Sequence, residues 1–237
     1  MSLRLPNGRE MTRALPKELA ALDRRFTIAT SDVPLPGGAI ALERPRSADE
    51  LINEADFEKD ERLPYWADVW PSSTALAGIV AALPGKGRRA LELGCGLGLV
   101  TLAAIRAGFD VVATDYYADA LLFTRRNCRR TMGHEPVTRL VDWRTFPDDL
   151  GRFDLLLASD VLYEREYASL VAAAIARSLS PGGMALIADP GRVALLAFVT
   201  ACEGLGCEVG IRARVPWQEG AAKQTITIHE VRAPGHP

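Results

Sequence analysis

Two rhythms of apolar and polar positions divide the chain. Up to about residue 88 the apolar residues come in short, interrupted groups. FTIATSDV (26–33) and GAIALERP (38–45) are β-rich runs separated by Pro34, Pro36, Gly37 and Gly38, the signature of a hairpin. Before them, residues 1 to about 24 mix Arg, Pro and Glu and predict only a peripheral helix from Pro16 to Arg24. After them, Ser47 and Glu50 have capping-box spacing, which predicts a short acidic helix running to about Asp60. Beyond the break at Leu63-Pro64, Leu76, Ile79, Val80 and Leu83 recur at helical spacing. A helix is expected from Pro71 to Leu83, with proline in its first turn and Pro84-Gly85 at its end.

From Arg89 the rhythm changes to continuous apolar runs: ALEL (90–93), VVAT (111–114), TRLVDW (138–143), FDLLLAS (153–159) and MALIAD (184–189). Helix-compatible segments separate them, so they predict parallel strands covered by helices on both faces. The tail departs from this pattern. CEVGIRARV (207–215) and KQTITIHEV (223–231) have no helix between them and are expected to pair antiparallel. The expected architecture is α/β: a Rossmann-like, doubly wound, seven-stranded sheet with an antiparallel last strand. Residues 1–62 are expected to form a short α+β extension and residues 63–237 the main domain.

Composition changes this picture little. At 48% hydrophobic and 24% charged, the 237 residues can bury one sizeable core. A net charge of -2 and a pI near 6.0 provide no field that gathers polyanions, so nucleic acid is not a favoured partner. The four cysteines, Cys95, Cys128, Cys202 and Cys207, form no CxxC pair, which predicts reduced thiols in a cytoplasmic protein. No run of about 18 apolar residues predicts a membrane span, and the charged, proline-bearing start lacks the apolar segment of a signal peptide. His134 and His229 stand apart from any cluster with ligand spacing, so no metal site is expected.

The chemistry is concentrated in LELGCGLGLV (91–100), where a buried strand runs into Gly94, Gly96 and Gly98 and then into a helix. Alternate glycines allow a tight turn and let a ligand approach backbone N–H groups at the helix start. The next strand ends in Asp115, 21 residues after Gly94, where a carboxylate can accept hydrogen bonds from the hydroxyls of a ribose. A dinucleotide-binding dehydrogenase uses a G-x-G-x-x-G loop to seat a pyrophosphate. Here the spacing is G-x-G-x-G, and Glu92 precedes the first glycine by two residues. That acid opposes a pyrophosphate and suits the ammonium group of a methionine. S-adenosylmethionine is therefore favoured over NAD.

Glu92-Leu-Gly-Cys-Gly-Leu-Gly98, Asp115, Asp142-Trp143 and the late antiparallel strand resemble the seven-β-strand (class I) methyltransferases. More narrowly, LPYWADVWPSSTALA (63–77), ASDVLYE (158–164) and IADPGR (187–192) resemble the family 16 lysine methyltransferases, especially the electron-transfer-flavoprotein β-subunit branch. The resemblance spans residues 63–237. It implies that Trp70 packs beside the cofactor and that Gly94, Cys95, Gly96 and Gly98 wrap its methionine end. It also implies that Asp115 binds the ribose, that Trp143 flanks the adenine, that Tyr116 and Asp142 belong to the cofactor site, and that Ser159 lines the pocket. Asp160 and Tyr163 would face the methyl group and the incoming amine as catalytic residues. The implied activity is N-methylation of a lysine on a protein substrate, with S-adenosylhomocysteine as product.

Several of these residues have plainer readings. Asp160 also fits a helix N-cap, Tyr163 a packed ring, and Trp66, Trp70 and Trp143 core positions, with the site readings favoured for Asp160, Tyr163 and Trp143. Asp189, Gly191 and Arg192 fit a turn that shapes the substrate side or a purely structural one. Arg125, Arg126, Arg129 and Arg130 are expected on a solvated helix face paired with nearby acids. Methylation of a small-molecule amine, a cofactor-binding regulatory protein and an NAD oxidoreductase are the competing functions. The acceptor, the degree of methylation and the oligomeric state are not legible in the sequence.

Overall fold

The computed structural model describes residues 15–47, 51 and 64–233. Two helical turns, α1 (Lys17–Ala20) and α2 (Leu22–Arg25), lead into a two-stranded antiparallel sheet of β1 (Ile28–Val33) and β2 (Ile40–Pro45). The hairpin therefore forms where the alternating pattern places it. The expected helix over 16–24 is interrupted at Ala21, and the helix expected between Ser47 and Asp60 falls outside the described residues.

The main sheet has seven strands in the order β5-β4-β3-β6-β7-β9-β8. They are β3 (Arg89–Leu93), β4 (Asp110–Asp115), β5 (Val137–Leu140), β6 (Phe153–Ser159), β7 (Leu179–Asp189), β8 (Glu208–Glu219) and β9 (Ala222–Arg232). Five of them are parallel, and β9 is wedged antiparallel between β7 and β8. The expected doubly wound sheet is present, with the antiparallel pair at its edge. The helices are α3 (Pro71–Val80), α4 (Leu99–Arg106), α5 (Ala118–Met132), α6 (Tyr167–Ser178) and α7 (Leu195–Gly204). Several boundaries move: α3 stops at Val80 rather than Leu83, β5 ends at Leu140, β7 begins at Leu179 and β8 runs on to Glu219. Trp143 consequently lies in a 3-10 turn whose start is capped by Asp142, the carboxylate accepting from the Arg144 N–H at 3.0 Å.

Alternation within the buried strands splits the core into two layers. Leu91, Leu93, Leu156, Ala158 and Ile187 meet Val171 and Ile175 of α6 and Phe198 of α7. Ala90, Leu155, Leu157 and Leu186 meet Leu76 and Val80 of α3 and Leu102 of α4. The sequence separates β4 and β6, yet both pair with β3, one on each side. This reversal of strand order opens a crevice beyond the carboxyl ends of β3 and β6.

The N-terminal segment is bolted to α5. Arg126 is buried; its Nε donates to the Glu43 carboxylate, its Nη2 to Asp23 at 2.8 Å and its Nη1 to the Leu19 carbonyl at 2.9 Å. Arg125 pairs with Glu18 and Glu135, and Arg130 with Glu43. The acid pairing expected for these arginines is present, but Arg126 corrects the expected solvated face. Burial of a guanidinium is sustainable here because two carboxylates and a carbonyl replace its water. Asn127 accepts from the Glu43 N–H at 2.8 Å and donates to the carbonyls of Glu43 and Leu97, both at 2.9 Å. One side chain thus connects β2 to the glycine loop after β3. No helix among the described residues is long and apolar enough to cross a membrane.

Candidate functional site

The crevice beyond β3 and β6 holds a cavity of about 440 Å³, within the size range of small-molecule sites. Its floor is the loop from Gly94 to Gly98, all three of whose glycines have positive φ. Space as well as conformation demands glycine there. A Cβ on Gly96 would lie 3.1 Å from the Trp66 carbonyl oxygen, and one on Gly98 would lie 2.9 Å from the Thr124 side chain. Over Gly94, the same construction meets Val161 at 3.2 Å and the Trp143 ring at 3.6 Å. The loop delivers the chain into α4, in whose first turn the Thr101 N–H is held by the Glu92 carboxyl.

Two carboxylates sit under this loop. Glu92 leaves β3 on the side of α4, is 1% exposed, and accepts a hydrogen bond from the Thr101 hydroxyl. Burial pushes its carboxyl up to about 8, so it carries a proton at neutral pH. Asp115 ends β4 and accepts from the Gly96 N–H and the Tyr117 N–H, each at 2.9 Å. Burial raises it to about 6 against the opposing pull of those donors. Its carboxylate shapes the glycine loop and borders the cavity at once. Cys95 is buried in the same loop, and burial pushes its thiol well above the ordinary range, so it is not a nucleophile at neutral pH.

The opposite end is built from side chains distant in sequence. Asp160 follows β6 with φ of +58°, the only described non-glycine residue with positive φ. Its N–H donates to the Ala188 carbonyl at 2.9 Å. Its Oδ1 accepts from Arg192 Nε at 2.6 Å and its Oδ2 from the Ser72 hydroxyl at 2.9 Å. The helix N-cap reading is overturned: α6 begins seven residues later with Glu166 at its cap. Asp189 fixes the turn that presents Arg192, its Oδ1 accepting from the N–H groups of Gly191 and Arg192 at 2.7 Å. The Arg192 guanidinium lies 5.6 Å from the centre of the Trp70 ring.

A continuous aromatic wall joins the two ends. Trp70 meets Tyr65, Tyr65 meets Tyr163, Tyr163 meets Tyr167, and Tyr167 meets Trp143, all at 5.1 to 5.8 Å and close to edge-on. Trp70 is further held by its indole N–H, which donates to the Tyr65 carbonyl at 2.8 Å.

Trp70, Glu92, Gly94, Cys95, Gly96, Asp115, Tyr116, Asp142, Trp143, Ser159, Asp160 and Tyr163 all border this one cavity. Gly98 does not; it turns the chain into α4 as the residue before its first turn. Sequence reasoning missed Ser72, Tyr65 and Tyr167, and gave Arg192 no partner. Only the aromatic spacing around Tyr65 carried any signal for them. No group of His, Cys, Asp and Glu among the described residues could hold a metal ion.

Comparison with known proteins agrees with this geometry. A family model described as a methyltransferase domain matches residues 91–185. The electron transfer flavoprotein β-subunit lysine methyltransferase of Xenopus laevis is 33% identical over 178 residues, covering 71% of this chain and 68% of that protein. The protein of the same name from Danio rerio is 33% identical over 133 residues, covering 54% of this chain and about half, 51%, of its own length. Among solved structures, magnesium protoporphyrin IX methyltransferase from Synechocystis superposes with a TM-score of 0.55 at 16% identity, covering 78% of this chain and 94% of that one. The last likeness is one of fold.

Proposed function

The chain belongs to the methyltransferase family of the electron transfer flavoprotein β-subunit lysine methyltransferases, and from that premise we propose that it transfers a methyl group from S-adenosylmethionine to a lysine amine on a protein. The observation that carries this reading is the two-ended cavity: a glycine loop over buried acids at one end, and a carboxylate with aromatic rings at the other.

The residues at the first end fit the cofactor. The backbone of Gly94 to Gly98 closes on the methionine portion where no side chain has room. Asp115 offers its remaining lone pairs to the ribose hydroxyls, and Glu92 complements the ammonium group, directly or through water. Trp143 and Tyr116 provide faces for the adenine, with Asp142 at its edge. When bound, S-adenosylmethionine supplies a methyl group activated by a positively charged sulfur.

What remains for the chain is to align a nucleophile. A lysine is mostly protonated at neutral pH, with a reference pKa of about 10.4. The amine must shed that proton before its lone pair is usable. That lone pair would take up the cofactor's methyl carbon, the sulfur keeping the S–C electron pair and the methylated nitrogen taking over the positive charge. Asp160 accepts a hydrogen bond from the incoming amine and aims its lone pair, while Tyr163 confines it on the aromatic side. Electron transfer flavoprotein β subunit is the acceptor to try first, because the Xenopus laevis and Danio rerio relatives carry that substrate in their names.

Incubating the protein with isotopically labelled cofactor and that subunit, followed by peptide mass spectrometry, tests the reading. Methyl groups on lysine are expected. Binding of NAD without binding of S-adenosylhomocysteine in calorimetry would overturn the class of reaction.

A further inference from the structure

Six acidic side chains border the cavity, those of Asp68, Glu92, Asp115, Asp142, Asp160 and Glu164; Glu92 keeps its proton at neutral pH, Arg144 pairs with Asp142 and Arg44 with Asp68, and among the described residues Arg192 is the only cation on the cavity wall itself. A site so rich in acid is a trap for ammonium groups. Binding a lysine in that form would hold it without a lone pair to give. Arg192 stands where this matters: its Nε donates to Asp160 at 2.6 Å, and the Asp160 side chain is only 7% exposed. The pair cancels the charge of the one carboxylate assigned to the acceptor.

The anchoring is deliberate in its geometry. Asp189 is fully buried and spends one oxygen on the turn that begins with Gly191 and Arg192. Trp70 offers the guanidinium a ring face from the other side. Ser72 takes the second oxygen of Asp160. Asp160 itself holds a left-handed backbone conformation that L-residues seldom adopt, so its direction is fixed from several sides.

We propose that Arg192 is a positioning residue for methyl transfer: it holds Asp160 in place and cancels its charge, so that the acceptor amine enters without its proton. This rests on the reading of Asp160 as the acceptor-side group. The other charged and titratable groups around that end are Tyr65 and Asp68 before α3, Tyr163 and Glu164 after β6, and Asp189 at the end of β7. Arg44 pairs with Asp68 at 3.7 Å and His229 of β9 interacts with Asp189, but neither answers Asp160, so loss of Arg192 leaves the Asp160 carboxylate without a counter-charge at the acceptor end. A cation there then binds more tightly, and an amine bound as ammonium reacts less.

The local charge can be read without any acceptor. Sinefungin resembles S-adenosylhomocysteine but carries an ammonium where the methyl group would be. In Arg192→Gln, sinefungin affinity relative to S-adenosylhomocysteine should rise about fivefold to tenfold, the scale of one charge at several ångströms in a partly screened site. Arg192→Lys should keep the wild-type ratio. Arg192→Met removes the same charge while retaining an apolar stem over Trp70, and serves if the glutamine variant does not fold. With labelled cofactor and electron transfer flavoprotein β subunit, Arg192→Gln should lower the acceptor KM, reduce kcat at pH 7 by about tenfold or more, and recover as the pH is raised. Arg192→Lys should restore the wild-type profile. An unchanged sinefungin ratio in Arg192→Gln, or rate loss that is the same at every pH, overturns the role of Arg192 while leaving the methyltransferase reading intact. Failure of the wild type to bind either compound overturns both.

Discussion

The two ends of the cavity are built on different plans. At the cofactor end, strand, loop and helix follow one another from Arg89 to Arg106, and Asp115 closes the arrangement from the neighbouring strand. Its chemistry lies in backbone N–H groups and in side chains that the local chain direction fixes. At the acceptor end, Ser72, Asp160 and Arg192 come from α3, the loop after β6 and the turn after β7, 88 and 32 residues apart. The first plan tolerates little change because the backbone itself is the ligand surface. The second places tunable side chains on a fixed frame, which is where a family sharing one cofactor can vary its acceptors.

The comparison is broken most severely at Gly98. A Cβ there would lie 2.9 Å from Thr124, on a backbone with φ of +83°. Gly98→Val should therefore weaken S-adenosylhomocysteine binding by more than about 100-fold, because a β-branched residue meets both the clash and the forbidden conformation. Calorimetry on the folded protein checks this; near-normal affinity would mean that the turn at Gly98 does not set the conformation of the cavity-lining Gly94 and Gly96. At the other end, Asp160→Asn and Tyr163→Phe should spare cofactor affinity to within a few fold and lower turnover by about 100-fold, since misplacing a reacting group costs that much. Normal turnover in a folded Asp160→Asn would transfer the positioning of the amine to other residues.

The same contrast explains what the sequence made legible. Continuous apolar runs announced β3, β4, β6 and β7, and the glycine spacing announced the loop, because each signal is contained in a few neighbouring residues. The strand expected to reach Trp143 stops at Leu140 because Asp142 turns its carboxylate onto the Arg144 N–H and starts a 3-10 turn. Burial of Arg126 was illegible for another reason. Its partners Asp23 and Glu43 lie about a hundred and about eighty residues away, and an arginine beside another arginine on α5 looks solvated until the N-terminal segment folds over it. The Asp160–Arg192 pair was hidden in the same way, although both residues had been singled out separately.

A smaller change sharpens the cofactor end. Removing the ribose acceptor in Asp115→Ala should weaken S-adenosylhomocysteine by about 1.5 to 3 kcal/mol, the range for hydrogen bonds to a charged group. The variant also frees the Gly96 and Tyr117 N–H groups that the carboxylate holds, so Asp115→Asn, which keeps one acceptor oxygen, should lose less. An unchanged Kd in both would remove Asp115 from the ribose.

The smallest effect expected is also the one that separates the two acids of the cofactor end. Asp115 titrates at about 6 and Glu92 at about 8, both raised by burial. Hydrogen bonds from ribose hydroxyls and contact with an ammonium favour the ionised carboxylates, so binding lowers both values. Affinity for S-adenosylhomocysteine should then decline as pH falls below about 8 through Glu92, and more steeply below about 6 as Asp115 joins, each acid contributing at most about tenfold per pH unit. The ligand's own amine and carboxylate change little across this range. Stability of the empty protein runs the other way. An acid whose folded value is raised costs stability when ionised, so acidification from pH 8 toward 5 relieves that cost while affinity falls. Glu92→Gln should remove the upper limb of the affinity profile and Asp115→Asn the lower. A profile flat from pH 8 to 5 in the wild type would show that neither carboxylate touches the cofactor, leaving both as supports of the loop alone.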